Sequence, residues 1–104
     1  MRASTYLHLY NVFSVTETED RIGTGKTMTA FWSESRLSTA TAIASTTKTA
    51  TASNGTYTVS WSRSNLTGAL TSLVGRTVYL HLDDGVGAHA TYPFLPVLVD
   101  PELL

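Results

Sequence analysis

The chain has 104 residues, no cysteine, 14% charged residues and a formal net charge of −1. This length suits one domain, and the lack of cysteine excludes a disulfide framework and a thiolate metal site. The few basic residues form no stripe that would neutralise phosphates, and no stretch reaches the ~20 apolar residues that span a membrane, so we expect neither a nucleic acid nor a membrane partner.

Alternation of apolar and polar residues predicts the first strands, because successive side chains of a strand point to opposite faces. The first predicted strand begins at Tyr6 and continues through Phe13, with Leu7 and Leu9 on one face. The other face carries Tyr6, His8 and Tyr10. A polar loop with Gly23 and Gly25 then leads into a second strand over residues 26–33, with Met28, Ala30 and Trp32 pointing inward.

The middle of the chain, residues 38–53, consists almost wholly of Ser, Thr and Ala. Thr is β-branched and favours strands, and Ala recurs at every second position, so we expect two thin strands here. Asn54-Gly55 predicts a tight hairpin turn, since both residues tolerate positive φ. The next strand, through Trp61, alternates most clearly and places Tyr57, Val59 and Trp61 on one side.

A short capped helix follows, predicted from Ser64-Asn65 and the spacing of Leu66, Leu70 and Leu73, and Gly75 ends it. Residues 76–82 form the next predicted strand, and residues 92–99 form the last extended run. Pro93 and Pro96 lie in that run, which predicts an edge strand or an extended arm, because proline cannot donate a ladder hydrogen bond.

These elements favour an all-β fold, an antiparallel β-sandwich with one short helical crossover and an extended C-terminal arm, with an open barrel as the alternative. The predicted division is a sandwich domain over residues 1–92 and an edge strand or arm over residues 93–104.

Several motifs resemble catalytic or metal sites without meeting their requirements. Gly23 to Thr27 resembles a P-loop, but the first glycine of that motif would fall on Asp20, and the following residues alternate like a strand. His8, His81 and His89 lack the spacing of metal ligands, and no serine stands in a nucleophile elbow. We therefore expect no enzyme activity, no cofactor and no metal.

The C-terminal segment is the strongest functional signal, because it is apolar at consecutive positions. A strand with apolar residues on both faces must be covered on both, and the second cover for a small domain can come from another subunit. The predicted partner interface consists of Phe94, Leu95, Pro96, Val97, Leu98, Leu103 and Leu104, together with the Tyr6, His8 and Tyr10 face. We expect a chain that lacks residues 93–104 to fold and to lose its assembly.

Three blocks resemble small immunoglobulin-like β-sandwich proteins in the virions of tailed bacteriophages: residues 25–30, residues 53–61, and the helical crossover into residues 78–82. The resemblance covers about residues 23 to 83 and rests on turn-and-strand patterns. It implies an immunoglobulin-like sandwich and an accessory structural role, either decorating a capsid or connecting parts of the head, neck or tail. It implies no catalytic residues.

The expected function is therefore that of a non-enzymatic virion protein that packs against capsid, neck or tail subunits, in many copies or as a homo-oligomer. Its expected location is the virion, assembled in the host cytoplasm. The alternative is a receptor- or glycan-binding module of a tail fibre or adhesin, with Phe31 or an exposed tyrosine stacking on the sugar.

Overall fold

The computed structural model describes residues 5–18, 23–37, 39–84 and 89–98. In this part of the chain the strands are β1 (Thr5–His8), β2 (Phe13–Thr18), β3 (Thr27–Ser33), β4 (Lys48–Thr51), β5 (Thr56–Trp61), β6 (Val78–Asp83) and β7 (His89–Val97). The helix α1 spans Arg63–Leu70, and a 3₁₀ turn follows it over Thr71–Leu73.

The strands form two sheets, a five-stranded one in the order β1-β7-β6-β3-β4 and a two-stranded one of β2 and β5. This arrangement confirms the predicted all-β sandwich with one short helix. Every strand pair is antiparallel except β1 with β7, which is parallel. The prediction of a wholly antiparallel fold is wrong at that one pair.

The single strand predicted from Tyr6 through Phe13 is two strands that belong to different sheets. The chain turns after His8, whose carbonyl oxygen accepts a hydrogen bond from the Asn11 backbone N–H at 3.1 Å. Period two alone did not reveal this turn, because the apolar alternation resumes on its far side. The turn carries the chain across the core from one layer of the sandwich to the other.

An aromatic cluster occupies the centre of the sandwich. The Trp32 ring from β3 lies 5.6 Å from the Trp61 ring of β5, between centroids, and both tryptophans are buried. Phe13 of β2 and Phe94 of β7 pack edge-on against Trp32, at 5.5 Å and 5.1 Å. The predicted inward residues of β3 and β5 are confirmed, because Met28, Ala30, Trp32, Tyr57, Val59 and Trp61 are all buried.

Of the two thin strands predicted in the Ser/Thr/Ala stretch, residues 39–53 contain one, namely β4. The described residues before it are irregular, and Thr46 fixes their path. Its hydroxyl accepts a hydrogen bond from the Trp32 backbone N–H at 3.2 Å, and its carbonyl oxygen accepts one from Trp61 Nε1–H at 2.6 Å. A buried threonine thus satisfies polar groups of the core where strand pairing was expected.

Local signals placed the turn before β5 correctly and α1 nearly so. Asn54 and Gly55 have φ of 52° and 78°, as the predicted hairpin turn requires. The helix begins two residues earlier than predicted, because Ser62, and not Ser64, is its N-cap: the Ser62 hydroxyl accepts a hydrogen bond from the Asn65 N–H. Leu66, Leu70 and Leu73 are buried as expected.

The position of β7 corrects the prediction of an edge strand or arm for residues 93–97. β7 lies between β1 and β6, and the predicted boundary between residues 92 and 93 falls inside it. Residues 89–94 pair with β6 and residues 94–97 pair with β1. Pro93 is therefore flanked by β6 alone and Pro96 by β1 alone, so each proline stands where one side of the strand needs no donor.

Candidate functional site

The candidate site is the surface where β1 and β7 lie side by side. The parallel register pairs Tyr6 with Leu95 and His8 with Val97. Paired residues of neighbouring strands share a face, and Leu7 between them is buried in the core. Tyr6, His8, Leu95 and Val97 therefore lie together on the outside of the five-stranded sheet. These four residues are called the outer patch below.

The outer patch exposes apolar and aromatic surface with little charge. Tyr6 is 56% exposed, and Leu95 and Val97 are half-buried. The Tyr6 ring lies 6.4 Å from the imidazole of His8, between centroids. Nδ1 of His8 is buried and finds no hydrogen-bond partner among the described residues. Leu98 directly follows β7 and is 44% exposed.

Two predicted interface residues point the other way. Phe94 packs its ring against Trp32 and against Phe13, with centroids 5.3 Å from Phe13, and Pro96 is almost fully buried. They alternate with Leu95 and Val97 along the strand and therefore face the core. A partner role for Phe94 and Pro96 does not fit this position. The prediction that a chain without residues 93–104 folds does not fit it either, because such a chain lacks both of these core side chains.

Tyr10 is not aligned with Tyr6 and His8, because it lies in the turn after β1. Arg63 at the start of α1 holds it there: Arg63 Nε donates to the Tyr10 carbonyl oxygen at 2.9 Å, and the guanidinium carbon lies 5.4 Å from the centre of the Tyr10 ring. The predicted interface residues Leu103 and Leu104 lie outside the described residues.

Two histidines on the outer face of the five-stranded sheet are in contact, although nothing in the sequence pattern indicates it. His81 of β6 is completely buried, and its Nδ1 lies 2.9 Å from Nε2 of His89 at the start of β7. The sequence spacing of the three histidines did not predict this contact. His8 is separated from His81 by the whole width of β7. Among the described residues, no group of three or more possible metal ligands is brought together.

The motifs that resembled a nucleotide site and a sugar site have structural roles here. Lys26 directly precedes the strand β3 and Thr27 begins it, as the alternating sequence indicated. The Phe31 ring stacks flat on the His81 imidazole, with centroids 4.6 Å apart and an angle of 9° between the planes. One face of Phe31, the residue proposed to stack on a glycan, is thus already covered.

A shallow groove separates α1 from the irregular segment before β4. Its walls include Thr41, Ile43, Ala69 and Ser72, and Glu34 also lines it. Glu34 forms an ion pair with Arg76 at 3.0 Å. The lining is small and mostly uncharged, and it brings together no acid–base or nucleophilic pair. No helix in the described ranges is both long and apolar enough to cross a membrane.

Comparison of the chain with models of protein families, with curated protein sequences and with solved structures gave no match in any of the three.

Proposed function

We propose that this chain is a non-enzymatic structural protein that acts by packing the outer patch against a neighbouring protein subunit. The observation that carries the proposal is the uncharged surface across two adjacent strands that is formed by Tyr6, which is 56% exposed, and by the half-buried Leu95 and Val97. Surfaces of this kind, rimmed by polar residues, are typical of sites of protein contact.

The physical chemistry of the rest of the surface supports close packing. Charged residues make up 14% of the chain, against roughly 25% in an average domain. Neighbouring copies of such a protein repel each other little. In an assembly that repeats the same contact many times, each contact can be weak, because the first attachment raises the effective concentration for the next.

The proposed setting is a tailed-phage virion, with the chain as an accessory component that decorates the capsid or connects head, neck or tail. This part of the proposal rests on the sequence resemblance of residues 25–30, 53–61 and 78–82 and on the predicted sandwich. Glycan binding by a fibre or adhesin module is the competing function, and it is an outcome of the test below.

The test places a charge in the outer patch and compares it with a charge on the opposite surface. Leu95→Lys puts an ammonium group among the apolar side chains, whereas Thr58→Lys puts one on the exposed face of β5. The phage that encodes this chain is propagated in its host cells with each variant in place of the wild-type gene, and the particles are purified. Mass spectrometry then measures the number of copies of each variant per particle.

The proposal predicts that the wild-type and Thr58→Lys proteins are incorporated equally and that Leu95→Lys is depleted at least tenfold. Circular dichroism of both variants first establishes that they fold. If the wild-type protein is absent from particles, the virion assignment is wrong. If Leu95→Lys is incorporated like the wild type, the outer patch is not the contact. Glycan-array binding that requires Phe31 would favour the competing function.

A further inference from the structure

The hairpin turn before β5 is held against a second turn, at residues 23–25, by hydrogen bonds from both of its central residues. The Gly55 N–H donates to the Gly23 carbonyl oxygen at 2.5 Å. The Asn54 N–H donates to the Thr24 hydroxyl oxygen at 2.8 Å. These two bonds are called the turn clamp below, and they join parts of the chain that are distant in sequence.

Asn54 and Gly55 together carry a reaction that needs no other group of the protein. The Gly55 backbone nitrogen, once it has lost its hydrogen, attacks the side-chain carbon Cγ of Asn54 and forms a new C–N bond. The bond from Cγ to the side-chain nitrogen breaks, and that nitrogen takes up the proton and leaves as ammonia. Water then opens the five-membered succinimide ring at either carbonyl and leaves aspartate or isoaspartate. Glycine permits the attack because no Cβ stands beside its nitrogen.

The fold withholds the attacking nitrogen. Asn54 is exposed, whereas Gly55 is buried and its N–H hydrogen lies in the bond to Gly23, which opposes loss of that hydrogen to water. Ring closure also requires rotation about the Cα–C bond of Asn54, which brings the Gly55 nitrogen towards Cγ. The turn clamp holds the backbone nitrogens on both sides of that bond, so the reaction requires the clamp to open.

We propose that Asn54 is a site of spontaneous deamidation and that opening of the turn clamp sets its rate. The clamp joins two surface turns whose residues are glycine or polar, so its opening uncovers no apolar side chain of either turn. Local openings of this kind cost less free energy than unfolding of the core. The site is independent of the outer patch and goes beyond the proposed function.

Conversion opens the turn in one direction only, because the ammonia is lost. Isoaspartate carries the main chain through Cβ and Cγ and so adds one carbon before Gly55. The backbone groups of Ser53 and Thr56 bond to each other across the turn at 2.8 Å and 3.1 Å, and this pairing fits two central residues of ordinary length. A lengthened main chain does not match both this pairing and the clamp.

The other two asparagines are internal controls. Val12 follows Asn11 and Leu66 follows Asn65, so in each case a branched side chain crowds the attacking nitrogen. Oδ1 of Asn65 also accepts a hydrogen bond from Lys48 Nζ at 3.0 Å. We expect neither asparagine to convert in the time that Asn54 does. The chain contains no glutamine, so no second type of side-chain amide contributes to the signal.

The experiment incubates the wild type, Thr24→Val, Thr24→Ser and Ser62→Ala at pH 8 and 37 °C, in buffer and in 8 M urea. Digestion at acid pH and mass spectrometry measure the fraction of residue 54 that has become aspartate or isoaspartate. Thr24→Val removes the hydroxyl of the clamp, and Thr24→Ser keeps one. Ser62→Ala removes the N-cap of α1 and so lowers the stability of the whole fold without touching the clamp.

We expect all four chains to convert at the same rate in urea. In buffer, the wild type should convert at least about tenfold more slowly than in urea, because the clamp is closed most of the time. Thr24→Val should convert about two- to tenfold faster than the wild type in buffer, which is the factor for one lost hydrogen bond between neutral groups. Thr24→Ser and Ser62→Ala should match the wild type.

Absence of conversion in urea would show that the site is unreactive, and equal wild-type rates in buffer and urea would show that the fold does not control it. An unchanged rate in Thr24→Val, or the same acceleration in Ser62→Ala, would refute the clamp as the gate. If Thr24→Val does not fold, amide hydrogen exchange of the wild type decides. Local opening requires the Gly55 amide to exchange faster than the slowest amides of β5, and equal protection would overturn it.

Discussion

Phe94 and Leu95 are neighbours on β7 that point to opposite faces, and truncating each in turn tests their assignment to core and surface. Phe94→Ala removes a ring that packs on Trp32 and Phe13. A fully buried Phe→Ala change costs 3–5 kcal/mol, and because Phe94 is partly exposed we expect the low end, about 3 kcal/mol. For a domain of this size, that corresponds to a fall in Tm of about 12–24 °C.

Leu95→Ala removes a half-buried side chain from the outer patch. Burying a whole leucine contributes about 1.5–3 kcal/mol, and Leu95 is partly exposed like Phe94, so its truncation should cost about 1–2 kcal/mol and leave no internal cavity. Urea unfolding followed by tryptophan fluorescence measures both values, since Trp32 lies beside Phe94. Nearly equal losses, or a larger loss for Leu95→Ala, would refute the assignment of the two faces.

Three further predictions concern stability, each checked by urea unfolding. Trp61→Phe removes the Nε1–H that donates to the buried Thr46 carbonyl oxygen at 2.6 Å, and it should lower the free energy of unfolding by about 1–3 kcal/mol. A loss of less than about 0.5 kcal/mol would show that another donor replaces it. Ser62→Ala removes the N-cap of α1 and should cost about 1 kcal/mol, so an unchanged stability would contradict the cap. Gly68 lies inside α1, and the Cβ of Gly68→Ala would meet no atom within 4 Å, so this change should stabilise the fold by about 0.5–1 kcal/mol. Gly75→Ala should instead destabilise it by about 1–2 kcal/mol, because Gly75 has a φ of +87°. Equal effects of the two changes would contradict both assignments.

The sequence predicted best where a local rule and the fold agree. Trp61, Val59 and Tyr57 on β5 are buried because side chains alternate between the two faces of a strand and only one face of β5 is covered. The apolar residues can then occupy only the covered face. Asn54-Gly55 forms its turn because few residue pairs adopt positive φ at low cost. The buried leucines of α1 follow the helical period, although the cap was placed two residues late, since Ser62 and Ser64 are equally good capping residues.

The errors lie where the outcome depends on contacts distant in sequence. The alternation from Tyr6 to Phe13 continues through a turn, although Leu9 still donates its backbone N–H to the Val97 carbonyl oxygen at 3.1 Å and Phe13 already pairs with Trp61 in the other sheet. Pro93 and Pro96 each indicate that one side of the strand lacks a pairing neighbour. They do not indicate that β6 pairs with the first part of the strand and β1 with the last part, on opposite sides. The prolines therefore predict an edge strand or an extended arm, although the strand lies inside the sheet.

The candidate site divides in the same way. The predicted interface contained both faces of β7, and the structure separates Leu95 and Val97 on the outside from Phe94 and Pro96 in the core. Alternation predicts such a separation, but the consecutive apolar residues from Phe94 to Leu98 conceal which face is which. The contact of His81 with His89 required the hairpin register, because it joins residues from two strands on a diagonal.

Site-specific photo-crosslinking in assembled particles tests the role of the outer patch most directly. A benzophenone amino acid replaces Tyr6 in one variant and Thr58, on the far side of the sandwich, in another, and mass spectrometry identifies the crosslinked chains. The outer-patch contact predicts that position 6 crosslinks to one defined particle subunit in high yield and that position 58 does not. Equal yields at the two positions, or no crosslink from position 6 in particles that contain the protein, would contradict it.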